Sequence, residues 1–188
     1  RIDYTDSTEG ALLLENSSTN LVTHSEDFSN ASWTKLGNAL GSVPTLTSNY
    51  ALSPDGTLNA TRLQCDLNGG TTTSDQSIIY DIDSSNTSQT ISIYIKSNNG
   101  QNQEVYLANT FGANDTVLVT SEWKRYVFPH TSSNHTFSLG ARGSTGSSDV
   151  LDILIWGAQS EAGNLSSYIS TNGSTVQRAA ETCNESGN

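Results

Sequence analysis

The sequence has few basic residues, no methionine and no long apolar run. Its 188 residues include 8 Lys and Arg against 19 Asp and Glu, which gives a formal net charge of -11 at pH 7. A nucleic-acid-binding surface needs clustered Lys and Arg to neutralise phosphates, so this composition argues against nucleic acid as a partner. No apolar stretch approaches the roughly 18 to 20 residues that a membrane-spanning helix requires, so we do not expect membrane insertion.

Cysteine and helix-forming residues are also scarce. The two cysteines, Cys65 and Cys183, lie far apart and match neither a zinc pattern nor a redox CxxC motif. A disulfide between them is one interpretation, and two free thiols are the favoured one. Few Lys, no Met and abundant Ser, Thr and Asn disfavour helices, whose exposed faces usually carry Lys, Glu, Arg and Ala. The composition therefore predicts an all-β fold.

Short apolar segments alternate with turn-forming residues along most of the chain. In the clearest of them, TISIYIKS, we expect Ile91, Ile93 and Ile95 to face a core and the residues between them to face outward. The longest apolar run, 150–156, is rich in β-branched and aromatic residues, so we expect it in the middle of a sheet. About nine to eleven such strands indicate an antiparallel β-sandwich of the jelly-roll type, with an up-and-down barrel as the alternative.

We interpret the chain as one domain, because no repeat or long linker divides it. Residues 1–163 are expected to form the sandwich, and residues 164–188 an extended C-terminal segment that leads to a following domain absent from this chain. Residues 41–57, which contain a proline and an SPDG turn, predict a long irregular loop. The segment GAQSEAG at 157–163 is expected to be the exit from the last strand.

Large aromatic residues are expected to anchor the core. Phe28 and Trp33 stand among turn-forming residues, and Trp123 and Trp156 border apolar runs. The tryptophans would also suit a sugar-binding platform, but their position beside core residues favours a structural role.

No catalytic residue set stands out. The three histidines, His24, His130 and His135, are not accompanied by a nucleophile motif such as G-x-S-x-G. His130 and His135 flank a short turn, and we interpret them as loop residues rather than metal ligands. The acidic stretch at Asp81 and Asp83 departs from the EF-hand pattern at two positions, so it does not predict a calcium loop. We therefore expect no enzymatic activity.

A surface that binds sugars is the better-supported prediction. Sugars stack on flat aromatic rings, and amide, acidic or basic groups hydrogen-bond their hydroxyls. Two predicted strands each place a tyrosine outward, so a single surface for a glycan or polysaccharide results if the strands are neighbours. Its members are Tyr94, Lys96, Glu104, Tyr106 and Arg142. The alternative is that both tyrosines only cover apolar stems on outer strand faces.

Five stretches, in order, form a recognisable combination. They are LLLENSSTNLVTHSEDFSNASWTK at 12–35, SPDGTLNATRL at 53–63, ISIYIKS at 91–97, SEWKRYVF at 121–128 and IWGAQSEAGNLSSYISTNGSTVQRAAETC at 155–183. Together they resemble the carbohydrate-binding-module-like jelly-roll domains of bacteriophage tail and fibre proteins. The resemblance implies a non-catalytic module, located in the virion tail or outside the cell, that recognises glycan on a bacterial host. Other virion domains are implied partners, and a homo-oligomer is compatible with it.

The same stretches are similar, more distantly, to carbohydrate-binding modules of polysaccharide-degrading enzymes. In those modules a TNL, DF and W opening accompanies a structural calcium. By that similarity Glu26 and Asp27, which precede Phe28, are calcium ligands, although the last strand has IWGAQ where an acidic pair is expected. Two further functions stay open: a structural spacer of the virion, and a binding module of a secreted polysaccharide-degrading enzyme.

Overall fold

The structure is a computed structural model. The residues that it describes are 2–3, 11–12, 14–83, 88–108, 115–130 and 135–182. No helix among them is long and apolar enough to cross a membrane. The strands are β1 (Ile2–Asp3), β2 (Ala11–Leu12), β3 (Ser18–Asn20), β4 (Thr34–Asn38), β5 (Thr45–Ala51), β6 (Ala60–Asp66), β7 (Gln76–Asp83), β8 (Gln89–Ser97), β9 (Gln103–Ala108), β10 (Thr116–Val119), β11 (Lys124–His130), β12 (His135–Arg142), β13 (Val150–Ala162) and β14 (Val176–Arg178).

Ten of these strands form two antiparallel sheets of five strands, packed face to face. The first sheet has the order β10-β9-β12-β7-β4, and the second has the order β11-β8-β13-β6-β5. Of the eight strands from β6 to β13, four lie in the second sheet, namely β6, β8, β11 and β13. The other four, β7, β9, β10 and β12, lie in the first sheet. Two sheets of four strands joined in this way are a jelly roll, to which β4 and β5 each add an edge strand. The predicted fold is confirmed.

The core lies between the two sheets and follows the alternation of the strands. Ile91, Ile93 and Ile95 are each at most 1% exposed, which confirms the predicted inward face of β8. The rings of Phe28 and Trp33 lie 5.0 Å apart, and both side chains are buried, as expected of core anchors. Aromatic pairs at this separation add to the stabilisation that burial itself provides.

Strand β13 organises the second sheet. It is the third of five strands, and it pairs with β6 over 150–155 and with β8 over 153–162. Gly157, with φ of 67°, lies in a bulge between Trp156 and Gln159. The expectation that GAQSEAG is the exit from the strand is wrong. The bulge interrupts the pairing with β8 only locally, and the pairing resumes at Gln159 and continues to Ala162.

One predicted loop is a strand. Residues 45–51 form β5, which pairs with β6 at the edge of the second sheet through an irregular stretch that includes Asn49, with φ of 53°. The sequence TLTSNYA places a single large apolar residue, Leu46, against the core, so it lacks the alternation that identifies a strand. Pairing with a neighbouring strand decides its structure instead.

The two cysteines cannot be compared directly, because Cys183 lies outside the described residues. Cys65 is a free thiol on β6 and is 3% exposed. Burial raises the pKa of this thiol to about 12. Since the thiolate is the reactive form, Cys65 is a core residue and is protected from oxidation and alkylation in the folded protein.

Residues 164–172, which we call the strap, lie against the second sheet. Ile169 and Thr171 of the strap are buried. The side-chain amide of Asn20 donates to the carbonyl oxygen of Ile169 at 2.8 Å and to that of Ala158 at 3.2 Å. One buried carboxamide therefore joins the N-terminal segment, β13 and the strap.

Candidate functional site

The five predicted sugar-binding residues do not share one surface. Tyr94 and Lys96 lie on β8 in the second sheet, whereas Glu104, Tyr106 and Arg142 lie on β9 and β12 in the first. Their neighbours in sequence point into the common core, so the two groups face opposite sides of the sandwich. The expected single surface is wrong, because the turn between β8 and β9 crosses from one sheet to the other. A sequence pattern does not distinguish such a crossing from a hairpin.

Tyr106 is enclosed on the outer face of the first sheet. Its side chain is 1% exposed and packs with Ile78 and Ala108. The guanidinium carbon of Arg142 lies 5.6 Å from the centre of the ring, and Arg142 Nη1 donates to the phenol oxygen at 3.4 Å. Burial raises the pKa of Tyr106. No sugar can stack on this ring without displacing its cover, so Tyr106 is a structural residue.

Tyr94 belongs to an aromatic cluster beneath the strap. Its ring lies 5.4 Å from that of Trp156, which in turn lies 4.5 Å from the ring of Tyr168 on the strap. Arg125 Nη1 donates to the carbonyl oxygen of Ser166 at 2.8 Å and so holds the strap from the β11 side. Burial raises the pKa of Tyr168. We call this part of the second sheet's outer face the covered half.

The rest of the same face is accessible, and we call it the open half. Arg62 on β6 forms a two-bond ion pair with Asp152 on β13, with Nε to Oδ1 at 2.7 Å and Nη2 to Oδ2 at 2.8 Å. The side-chain amide of Asn98 donates to both oxygens of Asp152, at 3.0 and 3.1 Å. The ring of Tyr50 lies 5.0 Å from the guanidinium carbon of Arg62 and is 43% exposed.

The backbone of Asp152 is fixed as well as its carboxylate. The buried Gln103 accepts a hydrogen bond from Asp152 N at 2.7 Å and donates one to Asp152 O at 2.9 Å. The hydrogen bonds from Arg62 and Asn98 keep the pKa of the Asp152 carboxyl below its usual value, so it is ionised at neutral pH. The polar groups of the open half are therefore fixed before any ligand arrives.

A cleft of about 440 Å³ adjoins this ion pair. Val43 and Val150 at its rim are 62% and 58% exposed, so apolar and polar groups lie side by side. The residues that line it are Ser42, Val43, Thr45, Gln64, Cys65, Asp66, Asn99, Val150, Leu151 and Asp152. An exposed ring, fixed hydrogen-bonding groups and an apolar rim are the features that retain a polyhydroxylated ligand.

The two predicted calcium ligands already have hydrogen-bond partners. Glu26 accepts from Tyr168 OH and Ser170 Oγ, both at 2.8 Å, and from Asn59 Nδ2 at 2.9 Å. Asp27 is exposed and uses its Oδ1 within its own turn. Calcium takes six to eight oxygen ligands, and no group of three or more His, Cys, Asp or Glu side chains is placed to hold a metal within the described residues. Calcium binding at Glu26 and Asp27 stays a prediction.

Comparison with known proteins gives similarity of fold alone. No protein family and no curated protein matches the sequence. Among solved structures, the chain is similar to the family 11 carbohydrate-binding module from Clostridium thermocellum, solved with a β-1,3-1,4-mixed-linked tetrasaccharide. The TM-score is 0.49 at 11% identity, over 79% of this chain and 97% of that one.

Two further solved structures are similar at the same level. One is the CBM22-1 xylan-binding domain from Paenibacillus barcinonensis Xyn10C, with a TM-score of 0.40 at 14% identity, over 79% of this chain and 94% of that one. The other is the enzymatically active domain of tailspike protein 4 from bacteriophage CBA120, with a TM-score of 0.46 at 13% identity, over 75% of this chain and 21% of that one. TM-scores and sequence identities this low do not indicate a function for this chain.

Sequence reasoning missed the residues that form the open half. Tyr50 lies in a stretch that the sequence predicts as loop, and Arg62 and Asp152 are 90 positions apart. The available signal was local: Asp152 is the only charged residue within the apolar run 150–156. A lone carboxylate in such a run needs a partner of opposite charge, and Arg62, which faces outward on a neighbouring strand, supplies it.

Proposed function

We propose that this domain binds a glycan or polysaccharide through the open half and carries out no catalysis. The observation that carries the proposal is the exposed ring of Tyr50 beside the fixed Arg62–Asp152 ion pair. A sugar ring stacks on the free face of the phenol ring, and its hydroxyls bind to the polar groups around it.

The ion pair supports binding in two ways. Arg62 uses Nε and Nη2 on Asp152, so Nη1 takes no part in the pair and is the nitrogen for a ligand oxygen. Asp152 and Asn98 keep Arg62 in one orientation, which lowers the entropy lost when a ligand binds. Gln64 and Asn99, at the adjoining cleft, contribute amide groups that both donate and accept.

The test is a matched pair of tyrosine substitutions, examined on a glycan array and then by calorimetry with any ligand found. Tyr50→Ala is expected to weaken binding about tenfold, because it removes the stacking ring. Tyr80→Ala makes the same change on the outer face of the first sheet and should leave affinity unchanged in protein that remains folded. If Tyr50→Ala and the unmodified protein bind the ligand with equal affinity, the binding site does not lie in the open half.

We further propose that the glycan belongs to the surface of a bacterial host and that the domain is part of a phage tail or fibre. The support for this finer statement is the sequence resemblance at 12–35 and 155–183. A binding module of a secreted polysaccharide-degrading enzyme is the alternative, and both place the domain in a virion or outside the cell. The parent polypeptide and the genes beside its own gene decide between them. Neighbouring virion genes favour the phage tail or fibre, and a glycosidase domain in the same polypeptide favours the secreted enzyme.

A structural spacer is a second candidate, favoured by apolar side chains exposed near the edge strand β5. Val43, Leu52 and Leu58 are each about 60% exposed. Residues of this kind suit contact with a neighbouring domain, another virion component or a second copy of the chain. Sedimentation of the isolated domain tests this role: a concentration-dependent oligomer that Leu52→Ser with Leu58→Ser abolishes supports it, and a monomer at every concentration opposes it.

Calcium binding by Glu26 and Asp27 stays a prediction. If calcium binds, Glu26 must exchange its present donors for the ion, and the folded protein gains stability with the logarithm of the ratio of calcium concentration to the dissociation constant. Thermal unfolding with excess calcium, compared with unfolding in chelator, measures this gain. Equal melting temperatures, or a gain that Glu26→Gln retains, would exclude these two residues as the site.

A further inference from the structure

Three asparagines in the chain are followed by glycine. They are Asn68, Asn99 and Asn172. In such a pair the backbone nitrogen of the glycine can approach the side-chain carbon Cγ of the asparagine, because glycine has no side chain to block it. The reaction that follows replaces the side-chain amide by a carboxylate, so each pair is a candidate site of deamidation.

Two of the three glycine nitrogens are engaged by hydrogen bonds. Gly69 N donates to Asp149 Oδ1 at 2.9 Å, and Gly173 N donates to the carbonyl oxygen of Thr23 at 2.8 Å. Each hydrogen bond must break before the nitrogen can lose its proton and attack the preceding Cγ. The folded structure therefore protects Asn68 and Asn172.

The third pair has no such protection. All three asparagines are exposed, and none of the three glycines has an atom within 4 Å of the place where a Cβ would stand, so only the hydrogen bond of the glycine nitrogen distinguishes the pairs. Asn99 lies in the turn between β8 and β9. Within the described residues, Gly100 N donates to no acceptor. Asn99 Oδ1 accepts from Ser97 Oγ and Gln101 N at 3.0 Å and from Gln103 Nε2 at 3.2 Å. Three donors draw electron density from Cγ and favour attack on it.

We propose that Asn99 is a deamidation site at the edge of the open half. Gly100 N forms a bond to Cγ, the bond from Cγ to Nδ2 breaks, and ammonia leaves with the proton that Gly100 N gives up. Water then opens the five-membered imide at one of its two carbonyl carbons. The product at position 99 is aspartate or, when the other bond opens, isoaspartate.

The modification changes the charge of the cleft more than it changes the fold. Asn99 lines the same cleft as Asp66 and Asp152, so the product places a third carboxylate there. In the aspartate product the new carboxylate still accepts the hydrogen bonds that the amide oxygen accepts, since all three of its partners are donors. The aspartate form is expected to remain folded, and both products carry one more negative charge beside Asp152.

The test is to hold the full chain in mildly alkaline buffer at physiological temperature and to follow each asparagine by peptide mass mapping. The exchange of NH₂ for OH is expected at Asn99 at least about fivefold faster than at Asn68 and Asn172, because the hydrogen bond of each protected nitrogen must first break. Asn99→Gln is expected to abolish the early acidic isoform seen on isoelectric focusing, and Asn99→Asp to reproduce it with an unchanged melting temperature.

Earlier modification at Asn68 or Asn172, or equal rates at all three sites, would overturn the proposal. So would survival of the early acidic isoform in Asn99→Gln. The mapping needs no ligand, so its outcome is independent of whether the open half binds glycan.

Discussion

The covered and open halves of the second sheet's outer face use the same residue types in opposite ways. In the covered half, Tyr94 and Trp156 pack under the strap, and Trp156 is only 4% exposed. In the open half, Tyr50 stacks on Arg62 and leaves 43% of its surface exposed. An aromatic ring on the outer face of a strand is therefore structural or available for binding according to what the rest of the chain places over it.

The cover comes from the segment that follows β13 in the sequence. Tyr168 of the strap contacts Trp156, and Glu161 at the end of β13 accepts from Ser166 N at 2.9 Å and also from the hydroxyls of Ser18 and Ser166. No segment of this kind lies over the ion pair of the open half in the described part of the chain. The difference between the halves can be tested by four changes. They remove the strap, the ring of Trp156, the ion pair of Arg62 with Asp152 and the ring of Tyr50.

Removal of the strap is expected to have the largest effect. A chain that ends at residue 163 loses the buried Ile169 and the cover of Trp156, and it leaves the amide of Asn20 without one of its two acceptors. We expect a loss of more than about 4 kcal/mol in the free energy of unfolding. Urea unfolding compares this chain with one that ends at residue 182. Equal midpoints would instead support the domain boundary at 163 that the sequence predicts.

Truncation of Trp156 is expected to have the next largest effect. Trp156→Ala opens a cavity between the sheet and the strap and should cost about 3 to 5 kcal/mol of stability. Trp156→Phe should cost less than half as much, because no described residue accepts a hydrogen bond from the indole Nε1. Thermal or denaturant unfolding measures both changes, and equal losses would show that the indole is held by more than its packing.

Disruption of the ion pair is expected to have a smaller effect that depends on pH. Arg62→Ala should cost about 1 kcal/mol at neutral pH, since both side chains keep contact with solvent. The lowered pKa of Asp152 contributes stability above its ordinary pKa of about 3.9, and this contribution is lost as pH falls through the folded-state value.

The stability difference between Arg62→Ala and the unmodified protein should therefore shrink as acid is added. Unfolding curves collected from neutral to acidic pH measure it, with Asp152→Asn as the control that removes the titrating group. A difference that grows as the pH falls would contradict the assigned role of the pair.

Substitution of the exposed ring is expected to have the smallest effect on stability. Tyr50→Ala should change the free energy of unfolding by no more than about 0.5 kcal/mol, because the ring lies on the surface over a guanidinium that Asp152 already holds. The same variant is predicted to weaken glycan binding, so a large loss of affinity without loss of stability would separate the open half from the covered half most clearly.

The sequence predicts the core of this fold better than its surfaces. The inward face of β8 follows from strict alternation, and Ile93 and Ile95 are both fully buried as that alternation requires. The site is different, because it depends on which strands become neighbours. Alternation identifies Tyr94 and Tyr106 as outward residues, but it contains no information on the sheet to which each strand belongs, and their surfaces prove to be on opposite sides.

Edge strands and long-range partners account for the other differences. Strand β5 has the composition of a loop and is a strand because β6 offers it hydrogen-bonding groups. Arg62 finds Asp152 only after β6 and β13 pair, at positions that no local pattern connects. The covered half likewise depends on a strap whose sequence is polar, and its attachment rests on buried hydrogen bonds rather than on an apolar run.

The antiparallel pairing of β3 with β14 has a mechanical consequence. Glu15 and Glu181 exchange hydrogen bonds at the end of this pair, so the chain enters and leaves the sandwich side by side. A pulling force applied between residues 14 and 182 would act across the pairing of β3 with β14 and break its hydrogen bonds one after another, in the unzipping geometry. The strap would then be the first part of the molecule to peel from the sheet under tension, and the jelly roll behind it would bear load only after that step.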